Sequence, residues 1–310
     1  MVADPPVRFK HALVTGATGI VGVPLCEKLA DIGVRVTAYS RTAGDFALPS
    51  AVRHVEGDIL DPAELAKAVV GADVIFHLAA AVHGSVSTFA DFESANVTGT
   101  ECVVRAAGNV GAKLVHVSTV NVDGYRQGTL TDAYAATKAR AEEVVLDAVE
   151  DGLDAVIVRP ATVFGNESGR AGLVVDRLLS GLLAVLPAPS RMVSPVWAGD
   201  LAEALVRAAE FGETGRTYTV AGPAMSTGEF VKAVARAAGV SAPRISVPAW
   251  AIMVPLQVAW WGRKITRWTP PVSVSSIRTG SAHDGQSAAS DLGFRYTPIS
   301  EIFAHETAER

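Results

Sequence analysis

Short apolar runs alternate with helical patterns through the first half of the chain, and this alternation limits the fold more than any other feature. Residues 11–15, 34–39, 74–78, 114–117 and 155–158 read as buried strands. Between them, residues 21–32, 62–70, 96–110 and 135–150 carry apolar side chains at helical spacing. Strand–helix alternation of this kind calls for a parallel sheet covered on both faces, a doubly wound α/β fold. After Gly165 the rhythm loosens. Residues 173–186 and 200–211 read as helices, 216–220 as a strand, and 227–238 as a helix opened by Ser226 or Thr227. The expected organisation is a nucleotide-binding domain over 1–165, with 193–212 packing back onto it. A smaller substrate-binding region then takes most of 166–310 and lies over the C-terminal edge of the sheet.

The first strand runs directly into Thr15-Gly16-Ala17-Thr18-Gly19-Ile20-Val21-Gly22 and then a helical pattern. Gly16 suits a tight turn, Gly19 lets a pyrophosphate approach the backbone, and Gly22 lets the helix pack close to the strand. Amides at the helix N-terminus, around Thr18 and Ile20, then face the anion. The second strand ends in Ser40-Arg41, where an acidic residue would accept a ribose 2′-hydroxyl. Arg41 is either a solvated loop residue or the planar fork that holds a 2′-phosphate. The second reading favours NADP(H) over NAD(H).

Composition narrows the rest. The chain has 310 residues, 49% of them hydrophobic and 19% charged, which is ample for a core. A formal net charge of −5, with no Lys/Arg runs, argues against nucleic acid as a partner. Two cysteines, Cys26 and Cys102, make no disulfide framework, and the seven scattered histidines give no metal-ligand spacing, so no metal is expected. The N-terminal residues lack an apolar core of signal-peptide type, so a cytoplasmic location is expected. Residues 245–262 carry no charge, and four of the five tryptophans fall between Trp250 and Trp268. This stretch reads as core or pocket wall, as a lid over an apolar substrate, or as a membrane-interface segment. Pro248 and Pro255 argue against a spanning helix.

Tyr134-Ala135-Ala136-Thr137-Lys138 puts a phenol and an ammonium on one helix face. The ammonium is expected to favour the phenolate, giving a general acid/base that works near neutrality. With this motif the chain resembles the short-chain dehydrogenase/reductase superfamily, in its extended branch. The matching pieces are Thr15–Gly22, Gly57-Asp58, His77-Leu78-Ala79-Ala80, Asn96-Val97 with Gly99, Val117-Ser118-Thr119 with Gly124, Tyr134 and Lys138 with Glu142, Arg159 through Gly165, Asp200-Leu201-Ala202, and Asp291-Leu292-Gly293-Phe294.

The resemblance implies a Rossmann fold and a set of roles. Asp58, with Ile59 beside it, contacts the adenine. Ala79 and Ala80 line the cofactor ribose. Thr119 hydrogen-bonds the substrate oxygen, Tyr134 transfers the proton, and Lys138 holds the nicotinamide ribose and tunes Tyr134. Asn96 supports a relay or caps its helix, since Asn is a preferred cap. Pro160 and Val163 approach the nicotinamide. His77 is the family's strand residue, and His83 is a candidate substrate-facing group.

The departures bear on substrate. About ten residues separate Gly124 from Tyr134, where sugar-nucleotide enzymes have a longer loop. Val122-Asp123-Gly124 stands for their Val-Tyr-Gly, and Val193 for their diphosphate-gripping Arg, with Arg191 two residues away. The Val247-Pro248-Ala249-Trp250 tail resembles hydroxysteroid-dehydrogenase and dihydroflavonol-reductase-like members. The expected activity is therefore an NADP(H)-dependent ketoreductase acting on a largely apolar small molecule, working as a homodimer. The alternatives are a redox-neutral epimerase or dehydratase with tightly bound cofactor, and a catalytically silent cofactor-binding protein.

Overall fold

The computed structural model describes residues 7–42, 48–82, 85–86, 88–165, 169–249, 251 and 282–308. The run 250–268, apart from Ala251, and His83 lie outside the described residues, so the readings of the tryptophan segment and of His83 fall there too.

In chain order the elements are β1 (His11–Thr15), α1 (Gly22–Asp31), β2 (Arg35–Ser40), β3 (Arg53–Glu56), α2 (Pro62–Ala68), β4 (Val74–His77), α3 (Phe89–Glu93) and a π-helical turn (Ser94–Thr98). Then follow α4 (Gly99–Val110), β5 (Lys113–Val117), α5 (Asn121–Arg126), α6 (Ala133–Glu150), β6 (Ala155–Pro160), β7 (Thr162–Phe164), α7 (Gly169–Leu179) and β8 (Val185–Pro187). The last are β9 (Met192–Val193), β10 (Pro195–Trp197), α8 (Ala198–Phe211), β11 (Thr217–Val220), β12 (Met225–Ser226), α9 (Thr227–Ala237), β13 (Ile245–Val247), α10 (Gln286–Leu292) and α11 (Ile299–Ala308).

The chain divides into two compact units. The first takes Met1–Pro160, Ala198–Val220 and Gln286–Arg295. Its seven strands form one sheet in the order β11-β6-β5-β4-β1-β2-β3, every pair parallel. Strands of such a sheet are buried on both faces, which is why they read as apolar runs. Leu13, Ile75, Leu114 and Ile157 share one sheet face and pack with Leu65 of α2, Val103 and Ala107 of α4 and Val145 of α6. Val193 belongs to the other unit, so the returning segment starts at Ala198 and runs on to Val220. It does so because β11 completes the sheet edge against β6.

Strand order reverses between β1 and β4, and ligands of open α/β sheets bind at such a switch point, beyond the strands' C-terminal ends. Three sites resisted the sequence pattern here. The edge strand β3 carries charges at both ends, with the sequence Arg-His-Val-Glu. The short helix α5 contains a glycine. The π-helical turn hides inside a run of ordinary helical spacing.

The second unit takes Ala161–Trp197, Ala221–Gly285 and Tyr296–Arg310. Its described strands form three small pairs: β7 with β10 and β8 with β13, both parallel, and β9 with β12, antiparallel. An apolar cluster holds Phe164, Leu178, Phe230, Val234 and Phe303. Ser226 caps α9 in a capping box, accepting from the Glu229 amide while the Glu229 carboxylate accepts from the Ser226 amide. One expectation fails in this unit. The helix expected over 173–186 ends at Leu179, because Gly181 turns the chain with φ +71° and Val185–Pro187 then becomes a strand. The charge-free run from Ile245 starts as strand β13, paired in register with β8.

Candidate active site

Gly16 adopts φ +68°, and a Cβ on it would come within 2.7 Å of the Ala79 nitrogen. The glycine turn after β1 therefore lies against the loop after β4, which brings Ala79 and Ala80 to the switch point. The Gly16 amide donates to the Tyr39 carbonyl at 3.2 Å, tying the same turn to the end of β2. At Gly22 a Cβ would sit 2.3 Å from the Gly16 carbonyl oxygen, so only glycine lets α1 begin this close to β1. Gly19 is exposed at the tip, with Thr18 and Ile20 partly exposed beside it, and the first turn of α1 carries no acidic residue. A tight turn, an exposed glycine tip and a helix N-terminus with no acidic residue in its first turn fit a dinucleotide pyrophosphate.

At the end of β2, Ser40 Oγ lies 2.7 Å from His54 Nε2 of β3 and donates to the Thr42 carbonyl at 3.2 Å. Arg41 is exposed next to it. Glu56 stands in register with Ser40 on the neighbouring strand. The Tyr39 hydroxyl donates to the Asp58 carbonyl at 3.0 Å, and its ring covers Gly57 so closely that a Cβ there would be 2.3 Å from the hydroxyl oxygen. Asp58 Oδ1 accepts from the Leu60 amide at 3.0 Å. Ile59 is partly buried and packs on the sheet-face cluster and on Gly99 of α4.

Thr119 follows β5, where the Ser118 amide continues the ladder to Val158 at 2.7 Å. Its hydroxyl accepts from the Asn121 amide at 3.3 Å, so the donor it can present is the O–H. Tyr134 and Lys138 lie in the first turns of α6, which Asp132 caps by accepting from the Tyr134 amide at 2.9 Å. Lys138 is buried, and its Nζ is 3.3 Å from His116 Nε2 on β5. In a parallel α/β layer the helix runs opposite to the strand, so the step from Lys138 back to Tyr134 and the step from His116 on to Thr119 lead to the same sheet edge. Pro160 is there too, its carbonyl accepting from the Val120 amide at 3.2 Å. Val163 belongs to the second unit, in β7.

One electrostatic expectation is corrected. The Tyr134 phenol is pushed up to about 12, by burial first and by the Asp132 carboxylate second, whereas the spacing with Lys138 pointed to a lowered value. The Lys138 ammonium lies against His116 Nε2 in this buried setting. Burial pulls Lys138 itself down to about 8, against the opposing pull of Glu142.

Residues 12–221 match the model of the NAD-dependent epimerase/dehydratase family. The chain belongs to that family. It is an enzyme of the extended short-chain dehydrogenase/reductase type, with a Rossmann-like first unit. It is 29% identical, over 96% of its length and 97% of the relative's, to sterol demethylase protein B from Methylococcus capsulatus. It is 30% identical to the 4-hydroxy-2-methyl-3-oxo-4-farnesyl-3,4-dihydroquinoline-1-oxide ketoreductase of Stigmatella aurantiaca, over 67% of each chain. It is 32% identical to dTDP-4-dehydrorhamnose reductase from Mycobacterium tuberculosis, over 69% of this chain and 70% of that one.

Around the family's Tyr-Lys helix this member builds a buried polar frame. Glu142, whose side chain is fully buried, accepts from Arg159 Nε and Nη2 at 2.7 and 2.5 Å, and from Arg126 at 3.2 Å. Arg159 also reaches Asp123 at 2.6 Å. These pairs pin α5 and α6 to β6. Asn96 does not cap a helix, because α3 is capped by Thr88 and Asn96 sits inside the π-helical turn. Its amide instead accepts from the Ala81 amide at 2.7 Å and donates to Thr137 Oγ1 at 3.0 Å. Asn96 thus joins the loop after β4 to the residue just before Lys138, and π-helical turns often mark functional sites in this way.

The sequence pattern missed four groups: Asp132, His54, Thr137 and His116. Asp132 was visible as a cap residue ahead of a helix. The other three acquire partners only when strands and helices that are distant in sequence come together. Among the described residues, no group of His, Cys, Asp or Glu can hold a metal ion, and no helix is long and apolar enough to cross a membrane.

Proposed function

We propose that this enzyme reduces a ketone on a largely apolar small molecule, with NADPH as reductant and Tyr134 as proton donor. The observation that carries the reading is the placement of Tyr134 and a buried Lys138 in the first turns of α6, at the sheet edge where Thr119 also emerges. Bound nicotinamide supplies the hydride to the carbonyl carbon. Thr119 presents its O–H to the substrate oxygen and holds the carbonyl in place. Tyr134 gives its hydroxyl proton to that oxygen as the alkoxide forms. The Lys138 ammonium then stabilises the phenolate left behind.

NADPH is favoured because no acid stands at the end of β2, where Ser40 and the exposed Arg41 stand instead. Glu56, in register with Ser40, supports the opposite preference, since its carboxylate can accept a ribose hydroxyl. An apolar substrate fits Val193, which is buried in the apolar cluster of the second unit where sugar-nucleotide enzymes use an arginine. The sterol- and farnesyl-related relatives point the same way. The rhamnose-pathway relative supports a nucleotide-sugar reductase as the second reading.

Fluorescence titration with both nucleotides, on the parent and on Arg41→Ala, tests the cofactor. NADPH should bind the parent more tightly, and Arg41→Ala should lose about 1.5–3 kcal/mol of NADPH binding while leaving NADH unchanged. Tighter NADH binding by the parent would assign the site to Glu56. A thermal-shift panel should show no stabilisation by UDP- or dTDP-sugars, where a ligand at about 100 Kd would add roughly 2.7 kcal/mol. A clear upward shift would select the second reading.

A further inference from the structure

Two histidines lie buried side by side under the site, on β4 and β5, with ring centroids 5.3 Å apart and planes tilted 45°. Their surroundings differ. His77 is held at both ring nitrogens. Thr100 Oγ1 donates to the Asn96 carbonyl at 2.6 Å, so it accepts from His77 Nε2 at 3.1 Å. That leaves His77 Nδ1 to accept from Thr15 Oγ1 at 2.8 Å. His77 is therefore a neutral Nε2–H imidazole that ties β1, β4 and the start of α4 together, and this structural role accounts for it completely.

His116 has no such account. An ammonium has only donors, so Lys138 Nζ must donate to His116 Nε2, and the imidazole proton must sit on Nδ1. That nitrogen has no partner among the described residues, although His116 is fully buried. A buried N–H without an acceptor destabilises a fold. Packing alone would be better served by an apolar side chain at this strand position. What the imidazole provides is a lone pair for Lys138.

We propose that His116 is a positioning residue for the reaction, accepting one Nζ hydrogen of Lys138 so that the ammonium's two other hydrogens serve the phenol of Tyr134 and the cofactor. The inference rests on the roles given above to Tyr134 and Lys138. Among the described residues, the groups near this ammonium are these. Tyr134 and Glu142 share its helix, with Arg159 of β6 and Arg126 of α5 balancing Glu142. His116 comes from β5, and His77 stands behind it on β4. Both imidazoles are held neutral by burial and by the charge of Lys138. Removing the acceptor leaves a desolvated ammonium less stable, so Lys138 should lose its proton at lower pH.

The first test uses nitrogen-15-labelled parent protein without cofactor, read by long-range proton–nitrogen correlation at pH 7. The expected result is neutral His116 with its proton on Nδ1 and neutral His77 with its proton on Nε2. A proton on His116 Nε2 would overturn the proposal. The second test compares His116→Phe with His116→Gln, whose amide oxygen can accept from Lys138. The Phe variant should lower kcat about 10–100-fold, weaken NADPH binding, and move the basic limb of the pH profile down by about half to one unit. The Gln variant should recover most of all three. Equal effects from both variants, confined to thermal stability, would reduce His116 to a packing residue. Tyr134→Phe, assayed in parallel, separates the layers. If that variant turns over normally, the catalytic reading falls and the proposal falls with it. If it is crippled while His116→Phe is normal, only the proposal falls.

Discussion

The two units bury different things. Among the residues whose burial is described, thirteen of the fourteen buried polar or charged side chains belong to the first unit, and Ser194 is the one in the second. In the first unit Lys138, Glu142, Asn96, Thr137, His77 and His116 are hidden on or beside the sheet. In the second unit the described core is Phe164, Leu178, Leu186, Phe230, Val234 and Phe303. Buried polar groups destabilise a fold unless they are bonded, and even paired they seldom do better than apolar packing. Their concentration in one unit marks where chemistry has overridden stability.

Substitutions can break or sharpen this contrast. The largest effect is expected from Glu142→Gln, which removes the buried carboxylate that Arg159 grips with two nitrogens, and from Phe230→Ala, which opens a cavity. Each should lower stability by about 3–5 kcal/mol. The two should part on function. Glu142→Gln loosens α6 and should weaken NADPH binding and turnover together, whereas Phe230→Ala should leave NADPH affinity within about twofold. Isothermal titration of both variants decides it, and equal losses of NADPH affinity would erase the contrast.

An effect of similar size is expected from acid. Burial holds the folded-state value of His77 at about 3, against 6.5 for the free side chain, and His116 is depressed in the same direction. Below pH 6.5 the unfolded chain takes up protons that the folded unit refuses. Stability is therefore complete above that pH and declines as pH falls toward the folded-state value, by roughly 1.4 kcal/mol per unit for each imidazole. Urea denaturation at pH 7 and pH 5 should show this loss in the parent. His77→Gln should show about half of it. A parent curve flat across that range would mean that the histidines are not buried neutral.

The first unit was legible because a parallel sheet writes itself as apolar runs, and a phosphate turn as glycines. Residues 11–15 were read as the first strand to the residue, and all three glycines of the turn meet backbone that would exclude or crowd a side chain. What stayed hidden depends on partners far away in the chain. His116 reads as one polar residue in a strand until α6 lays Lys138 against it. Asn96 reads equally as a cap until the π-helical turn places it between Ala81 and Thr137. The phenol of Tyr134 looked lowered because spacing shows a lysine but shows neither burial nor the Asp132 carboxylate's effect. In the second unit, strands of two or three residues carry too little pattern to separate from helix ends, as at Leu182–Leu186.

The central claim is that the hydroxyl of Tyr134, in the unit that buries polar groups, is the proton donor. Tyr134→Phe keeps the ring, which lies 6.5 Å from the ring of Phe92, and removes only that hydroxyl. Turnover of an apolar ketone with NADPH should be measured on parent and variant alongside NADPH affinity on the same preparations. The account predicts a fall in kcat of about 10²–10⁴-fold with NADPH affinity close to the parent's. Turnover within a few-fold of the parent would contradict it.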